Sequence, residues 1–512
     1  MTPGGRRGRV AALAPPRDVV GMAALLLSLL ALGVAPLVDR PLGRSPRLSS
    51  GLDAATMVVI AGVVFLQVLP HGVVDVGWPA VVAALLGLAT PLGCDRLSFG
   101  EGLIRLLAAV ALSVHGLLDG AALATGGHEG EALSVAVVLH SLPMGLAVWR
   151  AVAEHGGRRL AGGMLLLSAV AETVGWFWAP SLAGSTGEAL ILAQCFVAGS
   201  LLHLVSHGRP VQGWPSGVGA LVGAGFTILV LAEHPLPSTS GAELAMGEAF
   251  LGLAAEAAPA LLGALAVHVA LMARGGLRPL LRQALLSPSS PLSLAALLPT
   301  VALLGAPFAL ARGLAGLFTP RDLPAEEAEA SAALASPLLW VALGLGVAAL
   351  GETLLPVDAF AGVPASLGVI GAALLGAPLW LSAAGLTPVA ALLVHKGLSL
   401  GAALALLVVG PFGGRRAGEP WGVTLRRLGR VVALGLGVGL LADALPIELI
   451  GPSLHAMADH VHDPIEWGAL AMTSALLIAL LLREGLSGML ERLREPPAHK
   501  PLGRGADGAE TE

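Results

Sequence analysis

The stretch G-L-I-R-L-L-A-A-V-A-L-S-V-H-G-L-L-D-G-A-A-L-A-T (102–125) decides the fold class of this chain. A transmembrane helix needs about 20 predominantly apolar residues, and this run of small and aliphatic side chains has that length. It also carries His115 and Asp119 in its second half. Ionisable side chains in a hydrocarbon layer are costly, so they normally face a bundle interior, a partner or a pathway. The stretch therefore predicts a membrane-spanning helix with a polar site on one face.

The composition of the whole chain extends this prediction to a polytopic helical membrane protein. Of its 512 residues, 55% are hydrophobic and 12% are charged, tyrosine is absent, and the mean hydropathy is +0.82. A soluble domain carries about twice that charged fraction. The net charge of −5 gives no indication of nucleic-acid binding. Cys94 and Cys195 fit neither a disulfide framework nor a zinc–thiolate spacing.

We assign about fifteen apolar runs as transmembrane helices, which places the chain in the all-α class with two helical bundles. The runs lie near 19–38, 54–74, 79–93, 102–125, 131–153, 160–182, 187–206, 216–233, 245–272, 292–318, 337–355, 362–382, 386–412, 428–446 and 465–482. The bundles are predicted over 18–234 and 243–490, with a linker over 235–242. We predict a disordered tail over 1–17 and a polar cytoplasmic tail over 491–512.

The run 386–412 predicts a discontinuous helix in the second bundle. It begins with Thr387-Pro388 and carries Lys396-Gly397 in its interior. Broken segments at membrane depth are tolerated where they are buried in protein or line a cavity.

Basic residues occur in alternate loops and give a predicted orientation. Arg40, Arg44 and Arg47 follow the first run, and further arginines follow the third, fifth and seventh. Loops rich in Lys and Arg stay cytoplasmic, so the N-terminus is predicted outside and the C-terminus in the cytoplasm. The basic N-terminal tail argues against this orientation, whereas the later loops agree with one another. We expect a multi-pass protein of the inner (plasma) membrane.

His115 and Asp119, with His140 in the next run, have the residue types and spacing of an intramembrane metal site. At positions i and i+4 of a helix, the imidazole and the carboxylate project from one face and can share a cation. Such ligands suit Zn²⁺, Fe²⁺, Mn²⁺, Co²⁺ or Ni²⁺. A proton-handling role and helix–helix hydrogen bonding stay open for the same residues.

The first eight runs resemble the ZIP family of divalent-metal transporters. H-G-L-L-D-G (115–120) resembles the family's fourth-span motif H-N-x-x-D/E-G, and H-S-L-P-M-G (140–145) resembles its fifth-span motif H-D/E-x-P-E-G. F-L-Q-V-L-P-H (65–71) resembles the second-span pattern, and S-A-V-A-E (168–172) the sixth-span pattern. The resemblance implies the metal ligands His115, Asp119, His140, Glu172 and Met144, and Gln67 as a substrate-binding residue.

The departures from the family pattern fall on three positions. Gly116, Ser141 and Met144 stand where the family carries an asparagine and two carboxylates. The chain therefore lacks much of the family's second metal position. A reduced ligand set is compatible with transport, because a transported ion must leave its site again. It is equally compatible with decay to a non-transporting module.

The second bundle resembles the predicted permease family that includes arsenical-efflux permeases. The resemblance rests on G-A-P-L-W-L-S-A-A-G-L-T-P-V-A (376–390) and K-G-L-S-L-G-A-A-L (396–404). A weak echo of the first segment, P-L-S-L-A-A-L-L-P-T-V-A, occurs at 291–302. The echo either marks two related halves with a site at their junction or arises by chance in apolar sequence.

Ser382, Thr387, Pro388 and Lys396 are the candidate substrate-binding residues that this second resemblance implies. Ser382 stands where the family has a cysteine, so capture of a metalloid by a soft thiolate is not expected. A site lined by hydroxyl groups suits a harder or a neutral oxygen-bearing solute. Lys396 either attracts anions at depth or extends its amine to the interface.

A polar loop near the C-terminus forms a further candidate site, for collecting metal outside the membrane. Its candidate ligands are His455, Asp459, His460, His462 and Asp463. Solvation of a surface loop explains the same composition.

These features predict a transporter of a divalent metal cation or a related inorganic solute, and not an enzyme. No permanently bound cofactor is expected, and a cation such as Zn²⁺ is the transported substrate. The expected partners are the metal ion or metalloid and the lipid bilayer, with a homodimer left open. The sequence contains no Walker-type phosphate loop and no H-E-x-x-H motif. The alternative is a degenerate ZIP-like sensing or scaffolding module attached to an efflux permease.

Overall fold

The chain forms helices throughout the part that its computed structural model describes. The described residues are 17–42, 45–96, 101–124, 130–182, 187–206, 213–232, 246–274, 285, 290–319, 330–377, 381–412, 420–445 and 464–494. No β-strand occurs within these ranges. The all-α class predicted from composition is therefore confirmed.

Long apolar helices, judged by length and composition, are consistent with a multi-pass membrane protein. In the described residues, six helices are long and apolar enough to cross a bilayer: Gly21–Arg40, Pro46–Val76, Gly156–Ala179, Ala249–Leu271, Ala335–Glu352 and Pro464–Leu493. Shorter apolar helices accompany them, among them Ala383–His395 and Leu400–Phe412. About fifteen crossings stay a prediction.

The chain divides into two compact units, the first comprising Met1–Arg209 and Gly219–Pro235, the second Pro210–Val218 and Leu236–Glu512. The helices that begin in residues 17–232 are α1 (Arg17–Leu42), α2 (Pro46–Val63), α3 (Leu69–Val76), α4 (Trp78–Arg96), α5 (Glu101–Ala124), α6 (Gly130–Leu182), α7 (Gly187–Ser206) and α8 (Trp214–Ala232). Helix α6 contains a break at Gly157, whose φ of 79° lies in the region that glycine adopts without strain. The break separates the two predicted runs 131–153 and 160–182.

Helices α5 and α6 pack with their backbones in close approach. A Cβ atom at Gly120 would overlap the carbonyl of Glu172, and one at Gly175 would overlap the carbonyl of Leu117. Small residues at such contacts are typical of membrane helices, because van der Waals packing replaces the hydrophobic effect there. Large apolar side chains such as Leu30 are instead exposed. This contact fixes α5 against the segment of α6 that carries Glu172.

A helix that is apolar on all faces lies in the core of the second unit. The helices of this unit are α9 (Met246–Arg274), α10 (Leu294–Leu304), α11 (Ala306–Leu317), α12 (Ala330–Leu354), α13 (Ala365–Gly376), α14 (Ala383–His395), α15 (Leu400–Val409), α16 (Trp421–Ala444) and α17 (Pro464–Arg494). Every residue of Gly401–Val409 is buried. A helix that is apolar on all faces belongs in a core, and α15 accordingly packs against α13, α14 and α16.

Glycines with positive φ interrupt helices of this unit, and one of them, Gly485 (φ 76°), lies inside α17. Gly305 (φ 88°) separates α10 from α11, and Gly397 (φ 91°) lies between α14 and α15. The break at Gly397 lies in the run 386–412, where a discontinuous helix was predicted. Ser399 accepts a hydrogen bond from the Ala402 N–H (3.2 Å), and Asp443 accepts one from the Gly401 N–H (2.6 Å). These contacts satisfy amide groups that the start of α15 leaves without helical partners.

The ends of the predicted segments differ slightly from the structure. Helix α1 begins at Arg17, the last residue of the predicted N-terminal tail. Helix α17 continues to Arg494, past residue 490 where the polar tail was predicted to begin. Residues 1–16 and the predicted linker 235–242 lie outside the described residues.

Candidate metal and solute sites

His115 and Asp119 are in contact on α5. The Nε2 atom of His115 lies 3.2 Å from Oδ2 of Asp119, one helical turn further along. Their side chains are 13% and 14% exposed, respectively. The predicted juxtaposition of an imidazole and a carboxylate on one helix face is therefore present, in a half-buried environment where two ligand types suited to a divalent cation meet.

Glycine residues of α5 allow the segment of α6 that carries Glu172 to pack closely against α5. Gly116 and Gly120, which follow His115 and Asp119 in sequence, pack on the α6 backbone around Ser168 and Glu172. Glu172 is only 1% exposed. A carboxylate at such depth needs a partner, a proton or a cation. The fold thus places a third ligand-type residue on the segment that packs against α5.

The remaining predicted ligands of this centre are only partly described. His140 belongs to α6 and Gln67 to a π-helical turn, Val64–Val68, but the side chains of both lie outside the described residues. Within the described side chains, no three His, Cys, Asp or Glu residues group around one point. The candidate outer loop His455, Asp459, His460, His462 and Asp463 also lies outside the described residues.

The π-helical turn has a local cause. Pro70 has no N–H, so the regular bonding pattern cannot continue through it. The Leu69 N–H donates instead to the carbonyl of Val64, five residues earlier. Such bulges frequently occur at functional sites, and this one contains Gln67.

Met144 and Ser141 lie against the neighbouring helices of the first unit. Met144 is 2% exposed and packs in an apolar cluster with Leu32, Leu112 and Val148. The Ser141 hydroxyl lies 2.7 Å from the Ser28 hydroxyl of α1. The thioether predicted as a soft ligand is therefore surrounded by hydrocarbon side chains.

A polar cluster that the sequence interpretation did not include joins α1, α2 and α6. Arg150 donates to Oδ1 of Asp39 (2.8 Å) and to Asp53. The indole N–H of Trp149 donates to the other Asp39 oxygen at 3.1 Å. Opposite charges at the ends of three predicted spans were the available signal, but their pairing depends on the tertiary arrangement.

In the second unit, the predicted residues Ser382, Thr387 and Pro388 all belong to the buried start of α14. Ser382 is the N-cap and accepts a hydrogen bond from the Gly385 N–H at 3.1 Å. The Thr387 hydroxyl donates to the carbonyl of Ala383 at 3.1 Å. Pro388, inside α14, has no N–H to bond the carbonyl one turn earlier. Serine and threonine hydroxyls thus lie in the core, and a solute site lined by them stays a prediction.

Thr387 accepts a hydrogen bond from Arg312, a residue that the sequence interpretation missed. The side chain of Arg312 is fully buried on α11. Its Nη1 donates to the Thr387 hydroxyl (2.8 Å), the Thr300 hydroxyl (2.5 Å) and the Ala296 carbonyl (3.2 Å). Its Nη2 donates to the Ala383 carbonyl at 2.5 Å. One guanidinium group thus joins α10 and α14.

Lys396 is buried and paired, and does not extend to a surface. Its ammonium group lies 2.8 Å from Oε1 of Glu352 and 3.3 Å from the Glu352 carbonyl. Lys396 is 0% and Glu352 3% exposed. His395 Nε2 lies 4.0 Å from the same carboxylate oxygen. Glu352, near the end of α12, was not predicted, although a lone acid beside a long apolar run is a recognisable signal.

Comparisons with family models and with curated proteins identify no relative of this chain. No protein-family model matches the chain, and no curated protein matches it.

Proposed function

We propose that the protein is a multi-pass membrane transporter that moves a divalent metal cation such as Zn²⁺, Fe²⁺ or Mn²⁺ through His115, Asp119, His140 and Glu172. The observation that carries the proposal is the 3.2 Å contact of His115 with Asp119 on an apolar helix. Buried Glu172, on the α6 segment that packs against that helix, supports it. Ionisable residues at such positions are usually functional.

The chemistry of the residues fits a site that binds and then releases its ion. Imidazole binds a cation only in its neutral form, and a carboxylate only when ionised. Protonation of these groups therefore drives the ion off, and release is faster as the pH falls. A site with three or four ligands binds less tightly than a fully built two-metal centre, which favours turnover.

The proposal also covers energy coupling and orientation. It takes transport to be passive or coupled to an ion gradient, because the sequence contains no Walker-type loop, and it includes no enzymatic activity. Alternating arginine-rich loops favour an inner-membrane protein with its N-terminus outside and its C-terminus in the cytoplasm. The proposal includes no permanently bound cofactor, and it extends to a homodimer as well as to a single chain.

Uptake by purified full-length protein in vesicles tests the proposal. We expect zinc, iron or manganese uptake to fall at least tenfold in His115→Ala and in Asp119→Ala. His71→Ala is the matched control, because His71 is an exposed histidine on α3. Unchanged uptake in both His115→Ala and Asp119→Ala would show that the first unit is not part of the transport pathway.

A second candidate function is favoured by the positions of Ser141 and Met144. Both stand where the ZIP pattern has carboxylates, and both pack against α1 or apolar neighbours. Under this alternative the first unit senses metal or supports the second unit, which acts as an efflux permease for a metalloid or another small solute. Metal binding without metal flux distinguishes this case from the first.

A further inference from the structure

Arg312 is a buried cation whose hydrogen-bond partners are all neutral. They are two backbone carbonyls and two threonine hydroxyls, and no carboxylate among the described residues forms an ion pair with it. Lys396, which is equally buried, pairs with Glu352. Burying an unpaired ion is strongly unfavourable even after the protein relaxes around it. Among the described residues, the positive charge of Arg312 is therefore not balanced by a carboxylate.

The partners of Arg312 come from the two echoing segments. Residues 291–300 and 378–387 share the pattern P-L-x-L-x-A-x-x-x-T. The guanidinium binds the carbonyl of the alanine and the hydroxyl of the threonine in each copy. The echo thus corresponds to a physical contact, and Arg312 lies where the two copies meet. Junctions between repeats with broken helices are where transporters hold their solutes.

Unpaired buried donors belong to the same group of helices. Arg312 Nε, the Ser293 hydroxyl and the Trp340 indole N–H have no hydrogen-bond partner among the described residues. Ser293 is the N-cap of α10, and the Trp340 carbonyl of α12 approaches Gly385, between Ala383 and Thr387. Unsatisfied buried donors are costly. For Arg312 Nε, an acceptor oxygen bound beside the guanidinium relieves that cost.

We propose that Arg312 anchors a second solute site, in the second unit, that takes a small free oxyanion. The planar guanidinium offers parallel N–H groups that match two oxygens of one anion. Bound oxygens would take over from the Ala296 and Ala383 carbonyls as acceptors, and the negative charge would balance the buried cation. Because Arg312 is 0% exposed, an anion reaches it only when the hydrogen bonds between these helices open, which favours a small free oxyanion over a headgroup tethered to a lipid.

The test is equilibrium binding of radiolabelled sulfate and inorganic phosphate to full-length protein in lipid-free detergent. We expect saturable binding of at least one of the two, reduced at least tenfold in Arg312→Gln. Arg427→Gln is the matched control, since Arg427 is a buried arginine of the same unit that donates to the Phe412 carbonyl at 2.6 Å. We expect Arg427→Gln to bind the anion with the same affinity as the wild type. Added phosphatidylglycerol does not compete.

Three results would overturn the site. They are no saturable binding of either anion to the wild type, equal binding by Arg312→Gln, or displacement by phosphatidylglycerol, which would indicate a headgroup site. Should Arg312→Gln fail to fold, Arg312→Lys keeps the charge but loses the planar fork, and an affinity within twofold of wild type contradicts the proposal. His115→Ala loses cation uptake but keeps anion binding, so this site and the proposed cation pathway fail independently.

Discussion

The His115–Asp119 pair and Arg312 with its hydrogen-bond partners show two ways in which apolar helices accommodate polar groups. The pair joins two ionisable side chains within one helix, and each side chain keeps some exposed surface. Arg312 has no exposed surface and is bonded to two different helices. We therefore expect an ion to exchange at the first site without movement of α5, whereas a solute at the second must displace interhelical bonds. The difference predicts an exchanging site in the first unit and an occluded one in the second.

The largest effect that tests this contrast is expected at the Lys396–Glu352 pair. Glu352→Gln leaves the buried ammonium without its counter-charge, so we expect a loss of about 3–5 kcal/mol in the free energy of unfolding. Thermal unfolding of the full-length protein in detergent measures it. Combining Glu352→Gln with Lys396→Met should restore most of the stability. Asp119→Asn, at the half-buried pair, should change stability by less than about 1 kcal/mol. Equal losses in both single variants would break the contrast.

The next largest effect on stability is expected where the backbones of α5 and α6 are in contact. Gly120→Leu places a side chain against the Glu172 carbonyl, so we expect a loss of about 1–3 kcal/mol from overpacking, together with weaker cation binding. Gly163→Leu is the control, because Gly163 lies on α6 with no atom near its missing Cβ. Thermal unfolding and zinc titration of both variants make the comparison. Similar behaviour of the two would mean that this contact does not shape the site.

Loss of the charge at Asp119 should weaken cation binding about tenfold. Asp119→Asn keeps the size of the side chain but removes a proposed carboxylate ligand, and loss of even an outer-shell carboxylate lowers metal affinity by about 10–100-fold. Calorimetric titration with zinc measures the change. His71→Ala should leave the affinity as it is. An unchanged affinity in Asp119→Asn would show that the carboxylate of Asp119 is only in contact with His115 within the helix and does not contribute to metal binding.

The smallest effect concerns helix caps in the two units. Ser382→Ala removes a buried cap with a 3.1 Å bond, and we expect it to cost about 1 kcal/mol. Ser45→Ala removes a cap in the first unit whose bond measures 3.5 Å and is exposed, so its cost should be smaller. Thermal unfolding compares them. The opposite order would contradict the stronger cap expected at the buried start of α14.

The sequence was sufficient for features that depend on local chemistry. Apolar composition predicted the all-α class, and Lys396-Gly397 marked the break between α14 and α15. The helical spacing of His115 and Asp119 predicted their contact, because residues at i and i+4 always share a helix face. None of these inferences needs the position of another helix.

Features that depend on how helices are rotated and paired could not be predicted. Met144 and Ser141 follow His140 in the resemblance, yet the rotation of α6 directs them to apolar neighbours and to Ser28. Arg312 sits alone in an apolar run, and nothing local identifies α10 and α14 as its partners. Lys396 was interpreted without its partner because Glu352 lies on a separate helix.

X-ray absorption of zinc bound to the full-length protein tests the central claim most directly. We expect nitrogen and oxygen ligands at about 2.0–2.2 Å, with the scattering typical of imidazole. That imidazole contribution should decrease in His115→Ala and in His140→Ala, but not in His71→Ala. A spectrum of water-coordinated zinc, or one that neither site variant changes, would contradict a metal site built from His115 and its neighbours.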